Sequence, residues 1–138
     1  MIYLHPAFQL LFLLLSAYVF FLGTRRFLSL HLKRKAAFPR KRHARLGIAA
    51  IAALYAGMMG GSLVVDARGL DPVMGATHGA AAAVMAVLMG LGAASGLFLY
   101  YRPKPRKKLP LAHGIANLLM LATGIVLAAS GASILLSL

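Results

Sequence analysis

A chain of 138 residues that is 61% hydrophobic and only 12% charged, with apolar runs of eighteen residues or more, is too apolar for a soluble domain and indicates a membrane protein. The lack of cysteine excludes disulfides, thiolate metal sites, iron–sulfur clusters and covalently attached c-type haem. Asp66 and Asp71 are the only acidic residues, which leaves little for carboxylate-based hydrolysis, and no serine, histidine and acid are spaced like a nucleophilic triad.

The net charge of +13 comes mostly from two basic stretches. Nine of the fifteen Lys and Arg residues lie in 25–45, and five lie in 102–108. Because alternate connections of an up-down bundle lie on the same side, both stretches follow the positive-inside rule. The distribution predicts cytoplasmic basic loops that contact anionic membrane lipid, and it does not favour a nucleic-acid partner.

Four apolar segments follow one another along the chain. The first, about 6–23, has no basic region before it and no cleavage site, so we predict a retained helix with its N-terminus outside. The inner loop, 24–42, carries a short amphipathic segment that we expect along the membrane surface. The other spans are about 43–65, 73–101 and 110–138. The pattern predicts one all-α domain over 1–138, an integral membrane up-down four-helix bundle with N- and C-termini outside.

A histidine stands at the head of every span. His5, His43, His78 and His113 follow one another at intervals of 35 to 38 residues, each close to a proline. His5 directly precedes its proline, so we expect it at the helix cap. Ionisable residues inside a membrane are rare and usually functional. His31 falls outside the pattern, in the inner loop, and we expect it to be a solvated or lipid-facing residue rather than a ligand.

The topology pairs these histidines. With the N-terminus outside, His5 and His78 lie near the outer face, and His43 and His113 lie near the inner face. Helices 1 and 3 are diagonal in an up-down bundle, as are helices 2 and 4, and a haem iron with two axial imidazoles needs its ligands on opposite walls. We predict two haems b on the order of 20 Å apart, one metal site for each pair. A single haem, or Met74 as an outer ligand, is the alternative.

Two amides lie one helical turn after a histidine. Gln9 follows His5, and Asn117 follows His113. Hydrogen bonds from neighbouring side chains tune the ligands of a metal, so we include both amides among the cofactor-binding residues.

Small residues share these helix faces. Glycines at 57 and 61, and again at 92 and 96, form two GxxxG pairs. Such pairs ordinarily indicate close helix packing, but a porphyrin edge also needs small residues where it approaches a helix. The glycines are compatible with both readings.

The residues around three histidines resemble a known superfamily. KRHARLG contains His43, THG contains His78 and LPLAHGIAN contains His113. Over most of 43–138 the chain resembles the small four-helix membrane proteins of the cytochrome b561 and ferric-reductase-like superfamily, in particular a bacterial family whose domain has no assigned function. The LPxxHGxxN element is the most specific part of the likeness.

The resemblance implies haem b ligands at His43, His78 and His113, and at His5 from its His-Pro start. It also implies a multi-pass protein of the bacterial inner (cytoplasmic) membrane. The chain has four helices, whereas the longer b561 proteins have six, and it carries no recognisable ascorbate-binding signature. The identity of the substrate therefore does not follow from the resemblance.

Three functions compete. The first is an electron-transfer cytochrome b that works across the bilayer, or between quinol and a partner redox protein. The second is a quinone-coupled oxidoreductase with its substrate at a haem edge. The third is a haem-free packing or assembly subunit of a larger membrane complex. Since no soluble domain is predicted, we expect a redox partner, a larger complex or a homodimer. The candidate substrate residues of the second function are Asp66, Arg68 and Asp71 outside, and Arg45 and Lys108 inside, although each also fits an ordinary loop or topology role.

Overall fold

Four long helices make up the protein. The computed structural model describes residues 3–69 and 76–137, without the side chain of Arg68. The helices are α1 (Leu4–His31), α2 (Arg40–Arg68), α3 (Ala76–Tyr101) and α4 (Lys108–Leu136). Each is long and apolar enough to cross a membrane, which confirms the prediction of four apolar helices. Asp71 and Met74 lie outside the described residues.

Prolines mark the helix starts. Pro6 and Pro110 are the third residues of α1 and α4, and Pro39 directly precedes α2. Proline is tolerated there because the first N–H groups of a helix have no partner within the helix. His5 is the second residue of α1, inside the first turn and not at the cap position, which Tyr3 occupies.

The first helix is longer than the expected span of 6–23. Residues 24–31, which we predicted as part of a separate surface segment in the inner loop, continue α1 as regular helix. No glycine or proline interrupts 24–31, so nothing in the backbone stops the helix there. The irregular connection is shortened to residues 32–39, and Lys33 enters it with a left-handed φ of 52°.

The helices form a closed bundle in chain order. α1 packs mainly on α2 and α3 on α4, and the α1–α4 and α2–α3 contacts join these two hairpins. α1 and α3 are therefore diagonal, and so are α2 and α4. We call the end with connections 32–39 and 102–107 the basic end, and the end where α1 and α3 begin the distal end.

The buried core is small and lies in the middle of the bundle. Leu54, Met85, Met89 and Met120 form one cluster, and Met89 is fully buried. Large apolar side chains point outward in every helix; Val87, for example, is 64% exposed. Apolar side chains that cover the outside of helices with satisfied backbones are typical of a surface that faces lipid.

Candidate functional site

The bundle brings two of the four helix-head histidines into contact at its basic end. His43 lies in the first turns of α2 and His113 in the first turns of α4, on diagonal helices. Their ring centroids are 6.1 Å apart, and their planes are inclined by 75°. Two imidazoles that bind one metal ion from opposite sides, each at a metal–nitrogen distance of about 2 Å, have centroids about 6 Å apart. The spacing therefore fits a pair of axial ligands.

The other pair lies at the distal end. His5 and His78 are near the starts of α1 and α3, which are also diagonal helices. The structure thus places two of the four histidines at each end of the bundle. The cluster of Leu54, Met89 and their neighbours lies between the two ends.

In the first hairpin, backbone carbonyls hold both imidazoles by their Nδ1 atoms. His5 Nδ1 is 2.9 Å from the Gly57 carbonyl oxygen, and His43 Nδ1 is 3.0 Å from the Val19 carbonyl oxygen. A carbonyl oxygen only accepts hydrogen bonds, so each Nδ1 carries the proton and donates it. The Nε2 atom of each neutral ring then keeps a free lone pair, which is the form that binds a metal.

Serine hydroxyls play the same part in the second hairpin. His113 Nδ1 is 2.9 Å from Ser95 Oγ, and His78 Nδ1 is 2.9 Å from Ser130 Oγ. Each serine donates its own hydrogen to a carbonyl of its helix, over 2.6 Å for Ser95 and 3.2 Å for Ser130. With the serine hydrogens used in this way, the serine oxygens are left as acceptors for the histidines. This assignment gives all four imidazoles the same tautomer, with Nε2 available to a ligand.

A glycine lies against the Cε1 edge of every one of these imidazoles. A Cβ added at Gly61 would lie 2.6 Å from Cε1 of His5, and the other three glycines would place it 3.1 to 3.2 Å from their histidines. Any larger residue would push the ring aside. The pairs are His5 with Gly61, His43 with Gly23, His78 with Gly131, and His113 with Gly96.

The contacts are reciprocal within each hairpin and follow a simple spacing. Every one of the four helices carries a glycine eighteen residues after its histidine. Eighteen residues are five complete helical turns, about 27 Å, so the two residues share one face at opposite ends of the helix. Each helix thus carries a histidine at one end and, at the other end, a glycine against which a histidine of the neighbouring helix packs. Our sequence analysis missed this H-x17-G spacing, and with it the roles of Gly23, Ser95 and Ser130.

The two predicted amides also lie against glycines. Added Cβ atoms would lie 2.9 Å from Gln9 at Gly57, and 3.1 Å from Asn117 at Gly92. The GxxxG pairs of α2 and α3 therefore make room for a histidine and an amide of the partner helix. This is a specific role that close helix packing alone does not describe.

The hydrogen bonds of the amides differ from our expectation. Asn117 Nδ2 donates to the backbone carbonyl of His113 at 2.7 Å and lies 3.4 Å from that histidine's Nδ1, so Ser95 is the closer partner of the ring. Gln9 Nε2 donates to the Leu54 carbonyl at 3.3 Å, and its buried Oε1 has no partner among the described residues. Both amides adjoin the histidine pairs, but they mainly bind backbone.

The remaining sequence candidates lie apart from the pairs. His31 is the last residue of α1 and stacks on Phe27, with ring centroids 5.0 Å apart. Asp66, Arg45 and Lys108 are exposed. The predicted roles of Asp71, Met74 and the Arg68 side chain fall outside the described part of the chain.

A metal centre built from several side chains is not part of this arrangement. Within residues 3–69 and 76–137, no three His, Cys, Asp or Glu side chains are grouped so that they could hold a metal ion. Haem iron is already held by four porphyrin nitrogens and needs only two axial side chains. Pairs of histidines therefore fit haem better than a bare metal ion.

No family model, no curated protein and no solved structure matches this chain.

Proposed function

We propose that this chain is a di-haem b-type membrane cytochrome, which passes electrons across a bilayer or between quinol and a partner redox protein. The observation that carries the proposal is the common state of the four helix-head histidines. Each donates its Nδ1 hydrogen to an acceptor of the neighbouring helix and lies over a glycine. Histidines that are merely tolerated near a membrane interface would not need four matched acceptors and four matched glycines.

The chain's own residues would have distinct roles. His43 and His113 would hold one haem, and His5 and His78 the other. A bound haem b would supply one-electron oxidation and reduction at its iron. An acceptor at Nδ1 would fix the orientation of each of these imidazoles and make its Nε2 a more basic ligand for the iron.

The proposal extends to topology and location. Fourteen of the fifteen basic residues belong to the basic end, whereas Asp66 lies near the distal end of α2. The positive-inside rule then favours a cytoplasmic basic end with both termini outside, in the inner membrane of a bacterium. Membership in the cytochrome b561 and ferric-reductase-like superfamily is part of the same proposal and rests on the LPLAHGIAN element and the two other histidine stretches.

The test is a haem count on purified protein. The protein is produced with ample haem, purified in detergent and measured by a dithionite-reduced minus oxidised spectrum and a pyridine haemochrome assay. We expect two haems b per chain in the wild type and one in His113→Ala. The fifth histidine supplies a matched control, because His31 belongs to neither pair, and His31→Ala should retain two haems.

Folding is checked separately from haem binding. Each variant is also examined by size-exclusion chromatography and circular dichroism, so that a lost haem is not confused with a lost fold. A folded wild-type protein without a Soret band would refute the cytochrome and leave a packing subunit of a larger complex. A haem count that falls equally in His31→Ala and His113→Ala would refute the pairing.

A further inference from the structure

A basic groove opens at the basic end, between the start of α2 and the end of α3. It has a volume of about 620 Å³ and is lined by Pro39, Arg40, Lys41, Arg42 and Tyr100. Among the described residues the one acidic side chain is Asp66, near the end of α2 and far from the groove. The cations of the groove therefore have no carboxylate in the described part of the chain to neutralise them.

Aromatic rings of two other helices hold the guanidinium groups of Arg40 and Arg42, Arg40 on the α3 side of α2 and Arg42 on the α1 side. The Arg40 guanidinium lies over the Tyr100 ring at 4.9 Å and donates to the Tyr100 backbone carbonyl. The Arg42 guanidinium lies over the Tyr18 ring at 5.4 Å. Arginines that are already oriented lose less side-chain entropy when they bind a phosphate, and their planar forks suit its oxygens.

The charge at this helix start is the opposite of what a helix prefers. The first N–H groups of a helix form a positive pole that favours anions, and α2 has no acidic residue in its first turn and no side-chain cap. Three cationic side chains at that pole repel it and one another. A bound anion would relieve both repulsions.

The surroundings favour an anion that carries an apolar tail. Among the four neighbouring helix pairs, α2 and α3 contact each other least in the described part of the chain. Both helices also carry exposed apolar side chains within a few turns of the groove, such as Ile48 on α2 and Leu97 on α3. A soluble phosphate would use the cations but none of these apolar side chains.

We propose that the groove binds the head group of an anionic phospholipid, with its phosphate at the start of α2 beside Arg40 and Lys41, and its acyl chains along the α2–α3 cleft. The site stands on the groove itself and does not depend on haem binding. It differs from the general attraction of basic loops to an anionic membrane because one groove, and not the sum of the charges, selects the lipid.

The experiment measures how much phosphatidylglycerol the protein retains. The protein is reconstituted in nanodiscs of phosphatidylcholine with a minor fraction of phosphatidylglycerol, transferred to mild detergent and analysed by native mass spectrometry. The test variant is Arg40→Gln/Lys41→Gln/Arg42→Gln. The control, Lys104→Gln/Lys107→Gln/Lys108→Gln, removes the same charge from the other basic stretch, 102–108, at the same end.

We expect retained phosphatidylglycerol to fall at least about tenfold in the test variant and to stay near the wild-type amount in the control. Millimolar inorganic phosphate should not displace the lipid. Equal retention by the two variants, or displacement by phosphate alone, would overturn the site. The measurement is repeated on protein with and without haem. Lipid that only the haem-free protein retains would overturn the site, because it would show that haem carboxylates occupy the groove. Circular dichroism of both variants confirms that they are folded.

Discussion

The imidazole rings of His43 and His113 meet across the diagonal of the bundle, with centroids 6.1 Å apart, although the helices that carry them are not neighbours. Two histidines come this close only because each lies in the first turns of its helix, at the same end. Each ring is also fixed from behind, by the Val19 carbonyl for His43 and by Ser95 for His113.

Alanine substitutions at the adjacent glycines Gly61 and Gly60 should have opposite effects on stability. Alanine at Gly61 would place its Cβ 2.6 Å from His5, whereas nothing lies within 4 Å of a Cβ at Gly60. We expect Gly61→Ala to displace His5, to weaken the distal site and to destabilise the protein by about 1–3 kcal/mol. Gly60→Ala should be neutral or stabilising by up to about 1 kcal/mol. Haem content and thermal unfolding in detergent are the measurements, and equal behaviour of the two variants would contradict the role of Gly61.

Ser95 and Ser130 should act on different sites. Alanine at Ser95 leaves the His113 Nδ1–H without its acceptor, and alanine at Ser130 does the same to His78. We expect each change to lower haem affinity about tenfold or more at its own end and to raise the midpoint potential there. The control is Ser62→Ala, because that exposed hydroxyl, within the described residues, donates to the carbonyl of Met58 in its own helix and touches no histidine. Haem titration and redox titration check this, and an effect of Ser95→Ala on the distal site would argue against it.

The two haem sites should have different midpoint potentials. Fourteen cationic side chains belong to the basic end, and positive charge favours the reduced iron because reduction removes one positive charge. We expect the site of His43 and His113 to have the higher midpoint potential, by on the order of 60 mV. For a one-electron couple this difference means that an electron occupies that site about ten times as often as the distal site. Redox titration of the wild type and of His113→Ala assigns the two values. The reverse order would show that the loop charges are screened or outweighed.

Tyr55 joins the two hairpins. Its hydroxyl donates to the Ala86 carbonyl at 2.6 Å, across the α2–α3 boundary, where the helices contact each other least. We expect Tyr55→Phe to lower the free energy of unfolding by about 1 kcal/mol. Tyr101→Phe is the control, because Tyr101 is 72% exposed. Unfolding in mixed detergent micelles measures both, and a Tyr55→Phe protein as stable as the control would exclude this link.

Part of the fold could be predicted because it depends on composition and local signals. The apolar runs and the prolines indicated four helices, and these were confirmed. The end of α1 was placed too early, since charged residues near its end, such as Arg25, suggested a separate surface segment. Charge shows where a helix leaves the hydrocarbon, but it does not stop the helix. The helix ends at His31, shortly before Lys33 adopts its left-handed conformation.

The sequence by itself determined that the chain has four apolar helices, that each begins near a histidine, and which residues share a face with it, since these follow from hydropathy and the helical period. The H-x17-G spacing was also present in the sequence. Only the tertiary structure decided that each glycine receives a histidine of the partner helix, and that Ser95 and the Val19 carbonyl accept the Nδ1 hydrogens. The period of a helix fixes relative positions within that helix, but the rotation of each helix about its axis and the identity of its neighbours are set by packing between helices.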